Sequence, residues 1–290
     1  MTTDRRRIIV GVDASSHAAA AAAWAAREAA DRSMPLHLVN ALDLPASGPD
    51  LLMPESFVEA GYAASGLLLN RLAAALAGQH PGLRVTTETS EFGAPETLVA
   101  IGGDGDLIVT GTRGHGGFAG LLLGSVSLKT AVHAHCSTIV VRGPEDRAPR
   151  PELVLGVEMD QDEAPIRFAF ESCERLGARL LVVRAWLPAT SYAGHCLTGA
   201  ASSDAEQLAE QLADIDGLIE RVRSAYPKVE VHTRAVRGNA VPSLIEAARG
   251  ARLLVVGTHH RRAPFSVGVG YVVQGLLSHA VTPVAVVPIV

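Results

Sequence analysis

The chain has 290 residues, too long for one average domain and about right for two of roughly 100–200 residues each. Its residues are 48% hydrophobic but only 4% aromatic, 19% are charged, and the net charge is −5. That balance excludes a disordered chain, which needs low hydrophobicity with high net charge, and a nucleic-acid binder relying on a basic field over the whole domain.

From the N-terminus, Arg5-Arg6-Arg7 reads as a solvated start leading into Arg7–Val12, an unbroken aliphatic run of the kind found in strands buried on both faces. Ser15 or Ser16 is placed to cap an alanine-rich helix through Ala30, and Leu36–Leu42 is a second strand. A Pro/Gly-rich stretch, Pro45 to Pro54, precedes a longer helix to about Ala77. Leu83–Thr89 reads as strand, Ala94–Gly102 as helix and Leu107–Gly111 as strand. A glycine-rich loop, a helix from Ser125 to about Ala134 and a strand at Thr138–Val141 complete the first half.

The second half repeats the first. Gly11-Val12-Asp13 falls on Gly156-Val157-Glu158 at an offset of 145, and Asp106–Gly114 falls on Arg252–His260 at an offset of 146. Ala134–Val141 and Ala280–Val287 repeat the 146 offset. Gly143 to Pro151 has linker composition, so the domains read as 1–143 and 152–290, joined by 144–151. Strands of the second copy are expected near Leu153, Leu180, Val229, Leu253 and Val284. Strands alternating with helices imply right-handed crossovers and an open, doubly wound parallel α/β sheet in each domain. Ligands of such sheets sit beyond the carboxyl ends of the strands, where the strand order reverses.

Cys136, Cys173 and Cys196 form no metal-ligand or redox spacing and read as reduced thiols, the first two as small core residues. The polar N-terminus leaves no room for a signal peptide and no apolar run is long enough for a membrane span, so a cytoplasmic protein without a membrane partner is expected.

Chemistry-bearing residues gather at two strand ends of the first copy. Gly11-Val12-Asp13 puts a carboxylate at the edge of the first strand. The fourth strand ends in Gly111-Thr112-Arg113-Gly114-His115, and the loop returns to Gly124-Ser125-Val126-Ser127 at a helix start. Glycines allow close backbone approach, a helix N-terminus offers free N–H groups, and hydroxyls and an arginine stand nearby, so an anion such as a polyphosphate is the expected guest. Asp13 also reads as a cap of the first helix and Ser125 as the N-cap of the next, roles compatible with ligand contact. The lysine-bearing mononucleotide loop, the dinucleotide fingerprint and the hydrolase elbow are all missing.

The spacing Gly111-x2-Gly114-x9-Gly124-Ser125, with Asp13 closing the first strand, resembles the universal stress protein family, and most closely its tandem-domain, ATP-binding actinobacterial members. The resemblance implies five parallel strands per domain in the order 3-2-1-4-5, with adenine nucleotide (ATP, with Mg2+ as an optional companion) at the reversal. It assigns Asp13 and Asn40-Ala41 to the adenosine end, and Gly111, Gly114, Gly124 and Ser125 to ribose and phosphates, although many relatives carry a larger aliphatic residue in place of Ala41. It also implies that strand edges mediate pairing of the two halves, and makes the chain a candidate homodimer. In the second copy His260 replaces the middle glycine, Tyr271 the serine and Glu158 the aspartate, so weak or absent ATP binding is expected there. The cationic run His259 to Arg262 reads either as a solvated loop or as an anion contact. Three functions stay open: a nucleotide-binding stress regulator, a slow ATP-hydrolysing enzyme of the wider adenine-nucleotide α/β group, and a scaffold without ligand.

Overall fold

A computed structural model describes residues 6–44, 54–112, 114, 123–143, 149–158, 162–187, 204–259 and 270–289. The chain divides into two compact units, Met1–Pro144 and Glu145–Val290.

In the first unit the elements run β1 (Ile8–Gly11), α1 (Ser16–Arg32), β2 (Leu36–Ala41), α2 (Glu55–Gln79), β3 (Val85–Ser90), α3 (Ala94–Ile101), β4 (Leu107–Gly111), α4 (Ser125–His133) and β5 (Ser137–Val141). Every strand pair is parallel, as the alternation of strands and helices implies, and the spatial order is β3-β2-β1-β4-β5, as the resemblance implies. Ile8, Ile9, Val10 and Ile108 have no exposed surface, which is why these strands read as unbroken aliphatic runs. The chain leaves β1 toward β2 and β3, then crosses back to place β4 on the other side of β1. The carboxyl ends of β1 and β4 therefore flank a crevice.

The second unit runs β6 (Arg150–Gly156), α5 (Glu163–Leu176), β7 (Arg179–Trp186), α6 (Asp204–Arg223), β8 (Val231–Arg237), α7 (Ala240–Ala248), β9 (Ala251–His259), α8 (Tyr271–His279) and β10 (Val284–Ile289). Its strand order, β10-β9-β6-β7-β8, is that of the first unit. Arg150 and Pro151, expected in the linker, already belong to β6. β3 and β8 begin two residues later than the sequence suggests, because turns close first: Leu83 N donates to His80 O, after Gly82 at φ +90°, and Val229 N donates to Tyr226 O.

α1 shows why alanine suits this architecture. Ala18, Ala21, Ala22, Ala25, Ala26 and Ala29 form its buried face. Their small side chains let the helix backbone come so near β4 that a Cβ on Gly111 would lie 2.8 Å from the carbonyl carbon and oxygen of His17. Ser15 is the N-cap, its Oγ accepting from Ala18 N at 3.1 Å, and Asp162 plays that part for α5. Both helices end in a left-handed residue, Ser33 at φ 55° in α1 and Gly177 at φ 58° in α5. Glycine adopts that conformation without the Cβ penalty. Ser33→Gly is therefore expected to stabilise the first unit by about 1 kcal/mol, read as a higher urea midpoint, and Gly177→Ser to cost the second a similar amount.

Cys136 and Cys173 are buried, and burial pushes each thiol up to about 12, with the Asp106 carboxylate adding to the effect at Cys136. The unfolded chain releases these protons near the ordinary value of 9.0, whereas the folded chain retains them. Their contribution is thus complete below pH 9 and is lost as pH rises from there toward 12. Denaturation at pH 10 is expected to show a loss of about 2–3 kcal/mol relative to pH 8, most of it absent in the Cys136→Ala, Cys173→Ala double variant. Cys196 lies outside the described residues.

Candidate nucleotide site at the strand reversal

Beyond Gly11 the chain is fastened to β2 on both sides of Val12. Val12 N donates to Val39 O at 2.8 Å, and Asn40 Nδ2 donates to Val12 O, also at 2.8 Å. Asn40 thus fixes the exit of β1. Asp13 follows, half-buried, with Oδ1 accepting from Ser15 N at 2.9 Å. The cap of α1 is Ser15; Asp13 holds the turn in front of it. Its other oxygen faces the glycine loop, and a Cβ on Gly114 would lie 2.6 Å from Asp13 Oδ2. No real Cβ tolerates that approach, so the backbone at Gly114 and the carboxylate at Asp13 are mutually fitted.

The other wall comes from β4 and α4. Thr112 N donates to Val141 O at 3.1 Å and Thr112 O accepts from Gly124 N at 2.6 Å, which closes the base of the loop. Thr112 itself is buried beneath the cavity, and Thr110 lines it instead. Gly124, at φ −78° and ψ 150°, is the N-cap of α4, so Ser125 is the first helical residue and not the cap. The carbonyl of Gly124 already accepts the first helical bond, from Leu128 N, and an extended residue in that role leaves Ser125 inside the turn. Among the described residues no side chain caps α4, and Ser125, Val126 and Ser127, whose amides open the helix, all line the cavity. Ser127 Oγ donates to Gly111 O, tying α4 to β4, and its side chain is buried. Arg113 and His115 lie outside the described residues.

These groups enclose a cavity of about 740 Å³, also lined by Gly11, Val12, Asn40, Ala41 and Gly111. Its position and its uncapped helix start are those of an anion-accepting α/β site.

The Universal stress protein family pattern matches residues 4–142 and again residues 152–288. The chain belongs to the universal stress protein family. A universal stress protein of Mycolicibacterium smegmatis is 31% identical over 290 residues, covering 97% of this chain and 96% of its own. One from Mycobacterium tuberculosis is 32% identical over 301 residues, covering 98% and 95%. Among solved structures, a universal stress protein from Archaeoglobus fulgidus superposes with a TM-score of 0.71 at 13% identity, over 99% of both chains, a likeness of fold.

In this universal stress protein three further cavity residues escape a sequence motif. Asp43, in the left-handed region at φ 50°, follows β2, and Glu96 opens α3. Both follow strand ends, Asp43 after β2 and Glu96 in the first turn of the helix after β3, where the topology gathers functional groups, but no local pattern singles them out. Lys129 is more legible: it follows Ser125 by one helical turn and lines the same cavity. Among the described residues no helix is long and apolar enough to cross a membrane.

The second universal stress domain keeps the frame and changes the lining. Val157 N donates to Val183 O at 3.0 Å, as Val12 does to Val39, but the residue matching Asn40 is Arg184, which pairs with Asp214 at 3.1 Å. Glu158 is exposed, and Tyr271, the first residue of α8, is 79% exposed. His260, Arg261 and Arg262 lie outside the described residues, and no side-chain placement is described for His259.

Proposed function

We propose that the first domain binds adenine nucleotide, ATP foremost, and that occupancy of this one site serves as a regulatory signal in stress physiology. The observation that carries the reading is the fit of Gly114 against Asp13 at the mouth of a cavity that opens onto an uncapped helix start. Asp13 would accept from the nucleoside hydroxyls, and Asn40 would act through Val12 by holding the strand end in place. The amides of Ser125, Val126 and Ser127 would face the phosphates, with the Lys129 ammonium balancing their charge. Mg2+ would travel with the phosphates.

Gly111 and Ser127 support the site from below: one admits α1, the other ties α4 to β4. In this reading binding, not turnover, is the output. The family membership and the tandem-domain relatives support the same view. Protein purified without added nucleotide, denatured and analysed by chromatography, is expected to release adenine nucleotide, and Asp13→Ala protein to release little. Release of none by the wild type, even after incubation with ATP, would favour the scaffold reading. Steady-state hydrolysis that Asp13→Ala abolishes would favour the enzyme. A homodimer belongs to the same proposal, and light scattering should then return twice the chain mass.

A further inference from the structure

The second domain has a cavity of about 280 Å³ at the carboxyl ends of β6 and β9, where the first domain has one of about 740 Å³. Strand register and helix starts match the two linings residue by residue. Gly11 pairs with Val39 as Gly156 pairs with Val183, so Asp43 corresponds to Leu187. Gly111 pairs with Val141 as Gly257 pairs with Val287, so Thr110 corresponds to Val256. α4 begins at Ser125 and α8 at Tyr271, so Ser127 corresponds to Val273 and Lys129 to Gly275. Two hydroxyls, the ammonium and a carboxylate of the first cavity have thus become aliphatic residues or have no side chain, while Tyr271 stands in the place of Ser125 and Thr258 joins the lining.

The reduction in volume has a visible cause as well. β10 runs on to Ile289, whose counterpart in the first unit is Gly143. Ile289 lines the cavity and reaches over Gly257, where a Cβ would lie 2.6 Å from Ile289 Cδ1. The remaining wall is mostly Val157, Val183, Ala185, Ala240, Leu244 and Val256. Glu158, in the place of Asp13, keeps a carboxylate in the lining.

We propose that this cavity is a binding site in its own right, for a small, uncharged, mainly apolar molecule of about one aromatic ring or two fused rings. The volume sets the size: drug-sized ligand pockets begin at roughly 300 Å³, and dry apolar cavities of on the order of 150 Å³ take up benzene. The lining sets the chemistry: a phosphate there would still meet the amides that open α8, but it would lose its hydration against mainly aliphatic walls with Gly275 in the place of Lys129.

The test is a methyl-resolved NMR titration of the full chain with benzene, indole and ATP. Benzene or indole is expected to shift the methyls of Val183, Leu244, Val256 and Val273 saturably at millimolar concentration, and ATP to leave them unmoved. Ala185→Leu, which fills the cavity, should weaken those shifts at least tenfold; Ala240→Val is the alternative filling variant should the first fail to fold. Three outcomes would overturn the proposal: no saturable shift at these methyls with either ring, shifts unchanged in a folded filling variant, or saturable shifts of the same methyls by ATP.

Discussion

Gly114→His, which imports the residue of the second copy, is expected to weaken nucleotide binding by the first domain about 100-fold while leaving its thermal midpoint within a few degrees. The incoming Cβ would fall 2.6 Å from Asp13 Oδ2. The carboxylate cannot swing aside freely, because Oδ1 is held by Ser15 N at 2.9 Å. Displacing it would deprive the nucleotide of the proposed contact with Asp13, a hydrogen bond to a charged group worth about 1.5–3 kcal/mol, which is roughly ten- to a hundredfold in affinity before any clash with the ligand is counted. Gly114 is itself exposed, so the fold has little at stake there. Gly114→Ala should fall between the two, since it adds the Cβ without the imidazole. Calorimetric titration with ATP beside a thermal melt checks both halves of the expectation, and wild-type affinity in the histidine variant would remove Gly114 from the site.

Gly111→Ala should do the reverse and act on stability. Its Cβ would meet the backbone of His17 at 2.8 Å, and backbone, unlike the tip of a side chain, cannot turn away. α1 would have to lift from β4 along its alanine face, uncovering contacts made by Ala18 and Ala21. Overpacking of this kind costs about 3 kcal/mol. The loss should be equal with and without nucleotide, apart from the stabilisation any bound ligand adds by mass action. A melt unchanged by this substitution would mean that α1 does not pack on β4 as closely as described.

The two glycines show what a sequence discloses and what it withholds. Their spacing from Gly124 and Ser125 marks the loop as a candidate for ligand binding. It does not reveal that Gly111 is demanded by a helix backbone and Gly114 by a carboxylate, because His17 and Asp13 come to them only through the fold. The succession of strands and helices was legible from hydrophobic periodicity and the repeat from matching sequence blocks, whereas the strand order that places the crevice came with the family resemblance. Ser125 misleads as an N-cap because serine suits that role by chemistry, whereas the extended backbone of Gly124 decides where the helix begins. Ser127 looks like a ligand hydroxyl in sequence, yet its proton is given to Gly111 O. Asp43 and Glu96 carry no motif at all and join the cavity through topology alone. In the second domain the exchange of Ser127 for Val273 and Asp43 for Leu187 becomes meaningful only once strand register aligns the two cavities.

Two domains of one family share this chain, and in the proposed reading a single site takes nucleotide. Isothermal titration of nucleotide-free protein with ATP measures it through stoichiometry. One ATP per chain, bound about 100-fold more weakly by Gly114→His, is the predicted result; two per chain, or none, would contradict it.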